Sequence, residues 1–362
     1  AGLAPTQALL RMVSATASRL DTKEAATYSE QIFRFLLRVL DVRALSPPSL
    51  AGCEADVEAS ATSALVALTM KLTESRFKPM FLRLLEWAAA ATSAQDVETA
   101  GGDAGGRTRK AREAALFGVA SALSARLRSV FVPYFRYLID RAVGHLAGGA
   151  GSAAPKKKKR RGAAVDGGAD ADGDSELSWL LRVRVVRALH RGMLHDAGGF
   201  FDAEKLERLV PPLVAQLECG APPVDVLLAL AAQCSDTELD AGIGAGGVGA
   251  AAQLDMAGVA AAAALVQLAV TANSDVVWKP LNHRVLMATR SPALRPRLLA
   301  LEVLVQVVER LREEYLPLLP ETIPFLAELL EDVEPAVEAR AQALMALLED
   351  VSGEKLDQYL KI

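Results

Sequence analysis

Aromatic residues make up only 5% of this 362-residue chain, and cysteine occurs three times, at Cys53, Cys219 and Cys234. An odd number of widely spaced cysteines with no CxxC pair excludes a disulfide framework and a zinc module, and fits a reducing compartment. Neither sign of charge dominates: the formal net charge is −4. That balance excludes a general nucleic-acid binder, so any such contact must come from a local patch. HExxH, GxSxG and GKS/GKT sequences are all missing, and no pair of carboxylates stands in a recognisable catalytic frame. The chain begins at Ala1, with nothing nearby resembling a signal peptide, and is expected to be a fragment of a longer one. What remains is an apolar share of 51% carried by Ala, Leu and Val, a composition that favours packed helices over sheets.

The clearest pattern lies near the end. Leu319–Leu348 reads as two helices joined by a turn at Glu331–Glu334. The first carries Ile323, Leu326, Leu329 and Leu330; the second carries Val337, Ala341, Leu344 and Leu348, spacings of four, three and four that line one helical face. Neither helix can bury its stripe alone, so the pair needs neighbours of the same kind. Upstream segments supply them. Asp21-Thr-Lys-Glu24 forms a capping box before a helix that buries Phe33, Leu36 and Leu40. Helices are then predicted over about 54–72, 74–90, 109–128, 131–146, 178–194, 203–218, from 224, and over 254–272, 276–289 and 292–312.

Prolines recur near the start of one helix of each pair, at Pro79, Pro133, Pro211, Pro280 and Pro320. The last two are forty residues apart, within the HEAT-repeat range. The expected fold is therefore all-α: a HEAT-repeat α-solenoid of antiparallel helix pairs with disordered Gly/Ala-rich insertions. Its parts are N-terminal repeats over 1–146, a disordered basic and acidic insertion over 147–175, repeats over 176–235, a Gly/Ala-rich loop over 236–252 and C-terminal repeats over 253–362. The insertion has almost no large apolar residue with which to offset the entropy of ordering. Met256–Ser274 contains no charged residue, but Gln267, Thr271 and Asn273 and the lack of a basic flank make it a buried solenoid helix rather than a membrane span.

Few residues invite a chemical reading. Lys156, Lys157, Lys158, Lys159, Arg160 and Arg161 form the strongest linear signal, a nuclear-import or nucleic-acid segment; the alternative is a solvated charge run. Arg184, Arg187 and Arg191 share one side of a helix, where guanidinium groups could meet RNA phosphates or a protein partner; the alternative is an ordinary exposed face. His145, His190, His195 and His283 have no ligand spacing, and His190 falls on an apolar stripe as a partly buried, satisfied side chain. Gly242-Ile-Gly-Ala-Gly-Gly247 matches GxGxxG but lacks the preceding strand that phosphate binding requires. No catalytic, cofactor or metal residues are assigned, and no cofactor is expected.

Three stretches carry a family resemblance: Phe77-Lys-Pro-Met-Phe-Leu-Arg-Leu-Leu-Glu-Trp87-Ala, Val277-Trp-Lys-Pro-Leu-Asn-His283, and Leu319-Pro-Glu-Thr-Ile-Pro-Phe-Leu-Ala-Glu-Leu-Leu-Glu-Asp332. In order over roughly 20–360, they resemble the C-terminal region of the U3 small nucleolar RNA-associated protein 10 family, large HEAT-repeat components of the small-subunit processome. The resemblance implies a non-catalytic scaffold in the nucleus and nucleolus. It implies a role in pre-rRNA processing, 18S rRNA maturation and rRNA gene transcription. It also implies assembly with WD40-propeller proteins in a particle holding pre-rRNA and U3 small nucleolar RNA, with no membrane partner. A different nuclear HEAT scaffold, such as a transport factor, shares the periodicity and stands as the rival. A nucleotide-binding enzyme rests on the glycine match alone.

Overall fold

The computed structural model describes residues 3–90, 104–150, 168–222 and 256–356. Among the described residues there are helices and turns but no strand. The chain divides into two compact units. One comprises 1–128 and 165–188; the other comprises 129–164 and 189–362.

The first unit holds α1 (Leu3–Arg19), α2 (Thr22–Leu40), the single turn α3 (Val42–Leu45), α4 (Glu54–Thr69), α5 (Glu74–Ala89) and α6 (Ala104–Leu127), together with α8 (Gly168–Leu194) as far as Ala188. The capping box is formed: Glu24 N–H donates to Asp21 Oδ1 at 2.7 Å and Asp21 N–H to Glu24 Oε2 at 3.1 Å. Two otherwise orphaned donors at the start of α2 are thereby satisfied. The helix then buries Phe33, Leu36 and Leu40, while Ile32 and Leu37 are only half-buried. It packs on α4 and α5, and both α4 and α5 pack on α6. Phe81 from α5 and Phe117 from α6 complete the core.

The second unit holds α7 (Ile139–Ala150), the end of α8, α9 (Ala203–Glu218), α10 (Met256–Ala272), α11 (Asp275–Thr289), α12 (Leu294–Leu311), α13 (Leu319–Leu330) and α14 (Pro335–Ser352). From α9 onward the packing is a two-layer stack. Helices α9, α11 and α13 lie side by side in one layer, α10, α12 and α14 in the other, and the consecutive helices α9/α10, α11/α12 and α13/α14 pack across the layers. This is the antiparallel pairing of a HEAT-type helical repeat, in which each pair buries its apolar stripes against its neighbours.

The terminal hairpin follows its pattern: Val337, Ala341, Leu344 and Leu348 are each 0% exposed. Leu326 and Leu329 are buried with Phe325, whereas Ile323 and Leu330 are half-buried. α10 is buried on nearly every face, between α9 and α12. Among the described residues no helix is long and apolar enough to cross a membrane.

Several polar pairs in the stack share one interval. His283–Glu321, Arg290–Glu328, Glu302–Arg340 and Arg312–Asp350 all join residues 38 positions apart. The first two tie α11 to α13, and the third ties α12 to α14. The shared interval reflects a regular offset between neighbouring helix pairs in the stack. Asp332, in the α13–α14 turn, pairs with Arg297 of α12 at 3.2 Å and accepts from Glu334 N–H at 2.9 Å.

Three expectations are corrected. The segment 131–146 is not one α-helix: a 3-10 stretch, Val132–Tyr137, precedes α7. Pro133 offers no N–H, and the tighter turn brings Phe131, Tyr134 and Phe135 together, with Phe131 edge-on to Phe135 at 5.8 Å between ring centres. Gly192 of α8 makes room for this cluster, since a Cβ there would stand 2.6 Å from Phe135 Cζ. Second, Pro211 and Pro212 fall in the middle of α9, not near its start. Third, α7 runs to Ala150 and α8 begins at Gly168, so both ends of the expected 147–175 insertion are helical. The remainder of that insertion, 151–167, lies outside the described residues. So do the helix expected from 224, the loop 236–252 and the segment 357–362.

Candidate interaction surfaces

A stack of helices offers faces and grooves, and the polar groups show which faces are already occupied. Glu58 of α4 is 2% exposed and takes two arginines. Arg184 clasps it with both terminal nitrogens, Nη1 to Oε1 at 2.8 Å and Nη2 to Oε2 at 2.7 Å, and also donates to the Ala114 carbonyl at 3.2 Å. Arg43 donates Nε to Oε2 at 2.8 Å. Burial would push the Glu58 carboxyl up, but Arg184 and then Arg43 outweigh it and hold it below the usual carboxylate range.

The expectation of a phosphate-facing stripe therefore fails at two of its three arginines. The Arg184 side chain is 13% exposed and committed to Glu58, and Arg187 is 6% exposed. The spacing i, i+3 put them on one side of the helix, but that side faces inward. A guanidinium in the interior needs a partner to offset its lost hydration, and for Arg184 that partner is Glu58. Arg191, like Arg184, is partly exposed. Lys156 to Arg161, Gly242 to Gly247 and Cys234 lie outside the described residues. Among the described residues no three His, Cys, Asp or Glu side chains gather as a metal-ligand set.

A second polar cluster, which the sequence did not reveal, sits between α11 and α13. Tyr315 is fully buried; its hydroxyl donates to Asn282 Oδ1 at 2.8 Å and lies 2.8 Å from Thr322 Oγ1. Asn282 Nδ2 donates to Glu321 at 2.9 Å, and His283 Nδ1 lies 2.8 Å from the other Glu321 oxygen. Burial pushes the Tyr315 phenol well up, so it stays neutral. The conspicuous Trp-Lys-Pro-Leu-Asn-His and Leu-Pro-Glu-Thr stretches meet here. Trp278 anchors the first by donating Nε1–H to the Ala269 carbonyl at 2.8 Å. Trp87, from the third such stretch, donates toward Asp41 at 3.4 Å beneath the guanidinium of Arg112.

Among the described residues, a groove opens on the first unit. It lies between α2 and α5, holds about 250 Å³ and is floored by Phe33 and Met80. Arg76 and Arg83 of α5 stand on its rim opposite Ser29 and Glu30 of α2. Glu30 receives Arg83 Nη2 at 2.7 Å and Arg34 Nε at 2.6 Å, and these contacts, Arg83 foremost, hold its carboxyl below the usual range.

Residues 24–201 match the BP28CT (NUC211) domain. Both Glu58 with its arginines and the α2–α5 groove fall inside it. Along nearly its full length the chain is also similar to larger proteins. An uncharacterised Arabidopsis thaliana protein is 36% identical over 356 residues, covering 94% of this chain and 14% of that protein. Human HEAT repeat-containing protein 1 is 26% identical over 337 residues, 93% of this chain and 13% of that protein. U3 small nucleolar RNA-associated protein 10 of Aspergillus oryzae is 25% identical over 318 residues, 84% of this chain and 14% of that protein. The chain thus spans about one seventh of these curated relatives. The resemblance carried by the three aromatic and proline-rich stretches holds, and the HEAT-type fold agrees with the relatives' names.

Proposed function

We propose that this chain is part of a non-catalytic scaffold for ribosome biogenesis, acting with the U3 small nucleolar ribonucleoprotein in the small-subunit processome of the nucleolus. The observation carrying the reading is similarity over most of the chain to a protein named for association with U3 small nucleolar RNA. The mechanism is geometric. Stacked helix pairs hold side chains on fixed faces, and partners dock on them without chemistry. On this reading the chain supports pre-rRNA processing, 18S rRNA maturation and rRNA gene transcription alongside WD40-propeller proteins, in a particle that holds pre-rRNA. Lys156 to Arg161 would serve nuclear import.

The test is affinity capture of the tagged chain from nucleolar extract, with U3 small nucleolar RNA measured by quantitative PCR and proteins by mass spectrometry. Enrichment of U3 RNA and propeller proteins is expected. U3 RNA at background, with transport factors captured instead, overturns the proposal in favour of the rival scaffold. A reporter carrying residues 155–161 should enter the nucleus and its Lys/Arg→Ala version should not; retention of the intact reporter in the cytoplasm removes the import role.

A further inference from the structure

We infer that Ser46 is a phosphorylation site for a proline-directed kinase, and that Arg107 receives the phosphate. The inference is independent of the scaffold reading. Ser46 lies in the segment joining α3 to α4 and is followed by Pro47, the residue such a kinase reads after its target serine. The segment presents it to solvent: Ser46 is exposed, and Leu45 before it is 73% exposed. The Ser46 backbone is left-handed, with φ 40°, a conformation that few residues other than glycine adopt. The ring of a following proline favours an extended residue at that place. The extended form that enters a kinase cleft is therefore the one that the local sequence prefers.

The receiving group is already in position. Arg107, near the start of α6, donates Nη2–H to Ser46 Oγ at 3.4 Å, joining residues 61 positions apart. No carboxylate among the described residues pairs with it, in contrast to Arg43, Arg112 and Arg184 of the same unit. Residues 104–112 of α6 include Arg107, Arg109, Lys110 and Arg112 and no acidic residue. In the transfer the Ser46 oxygen attacks the γ-phosphorus of ATP. The bond to the ADP oxygen breaks, and the hydroxyl proton passes to the kinase's base. The hydrogen bond from the hydroxyl to the Arg43 carbonyl, 2.9 Å, is lost with that proton. In its place a phosphate with three acceptor oxygens faces a guanidinium fork, which can match it with two parallel bonds. A long contact to a neutral oxygen becomes a charge-assisted clamp between the α3–α4 segment and α6.

The experiment treats the full chain with a purified cyclin-dependent kinase and ATP. Ser291, the other serine that precedes a proline, is replaced by Ala throughout, so that one phosphate is followed. Peptide mapping by mass spectrometry should find phosphate on Ser46, and Ser46→Ala should abolish it. Phosphorus NMR then follows the second ionisation of the phosphate, ordinarily about pH 6. Beside Arg107 its midpoint should lie about one pH unit lower than in Arg107→Gln. Arg107→Lys, which keeps the charge, should restore part of that drop. Arg109→Gln, on the exposed side of α6, should leave the midpoint within about 0.2 pH unit of the parent's. An unphosphorylated Ser46 overturns the site, and equal midpoints in the parent and Arg107→Gln overturn the role of Arg107. Melting curves of the variants should match the parent's, which separates a lost clamp from a lost fold.

Discussion

Two charge arrangements stand out, one in each unit: an enclosed carboxylate with two arginines in the first, and pairs at a shared interval in the second. The first buries its charge: Glu58 sits in the interior with Arg184 and Arg43, and joins segments 126 positions apart in the chain. The second also spreads charge along the stack, in pairs 38 positions apart that range from exposed, such as Arg312–Asp350 at 51% and 66%, to largely buried, as in Glu302–Arg340. A buried ion that loses its partner is left uncompensated, so the first device is intolerant of single changes. Exposed pairs are screened and each is weak, so the second sets register while apolar burial supplies the stability. Between these extremes stands Tyr315, neutral and fully buried.

Substitutions can break or sharpen this contrast. The largest effect is expected from Leu344→Asp, which puts an unpaired carboxylate on the fully buried face of α14. About 5 kcal/mol, comparable to a single repeat's stability, should be lost, melting α13 and α14. Hydrogen exchange localised to Leu319–Ser352 would report it, and an unchanged profile would contradict the repeat register. Next comes Glu58→Gln, which strands two interior arginines at a cost of about 3–4 kcal/mol, read by chemical denaturation. The same group gives a pH signature. Its folded pKa is lowered from the ordinary 4.5, so its stabilisation is present above that value and lost as pH falls through the folded pKa. Glu58→Gln should flatten this acid limb; an unaltered limb would mean that Glu58 is not its source.

Tyr315→Phe should cost about 1–2 kcal/mol, because Asn282 and Thr322 lose a buried partner while the ring remains. Its melting temperature, compared with that of a Tyr315→Phe/Thr322→Val double variant, measures the coupling within the cluster. Asp350→Asn should cost about 0.5 kcal/mol or less, and that little should vanish in high salt. A loss as large as that of Glu58→Gln would erase the distinction between the two devices.

Much of the helical frame was legible because it is local. Asp21 and Glu24 cap α2 through neighbours three positions away, and the Val337, Ala341, Leu344, Leu348 stripe depends only on helical spacing. The interruption at Pro133 was less legible. A proline early in a helical pattern is compatible with the first turn of an α-helix, and only the packing of Phe131, Tyr134 and Phe135 selected the 3-10 stretch. The arginine stripe was read to the wrong side for a similar reason. Spacing places Arg184 and Arg187 on one face but does not say what that face meets.

By itself, then, the sequence determined most helix positions, the Asp21–Glu24 cap, the apolar stripes and the family resemblance, since these rest on residue type and short-range period. Tertiary structure alone decided the 38-residue ladder, the Tyr315 cluster, the open groove between α2 and α5 and the inward fate of Arg184. Each depends on which distant side chain arrives opposite. For a buried guanidinium that arrival separates a stable ion pair from an intolerable charge, and helical spacing contains no term for it.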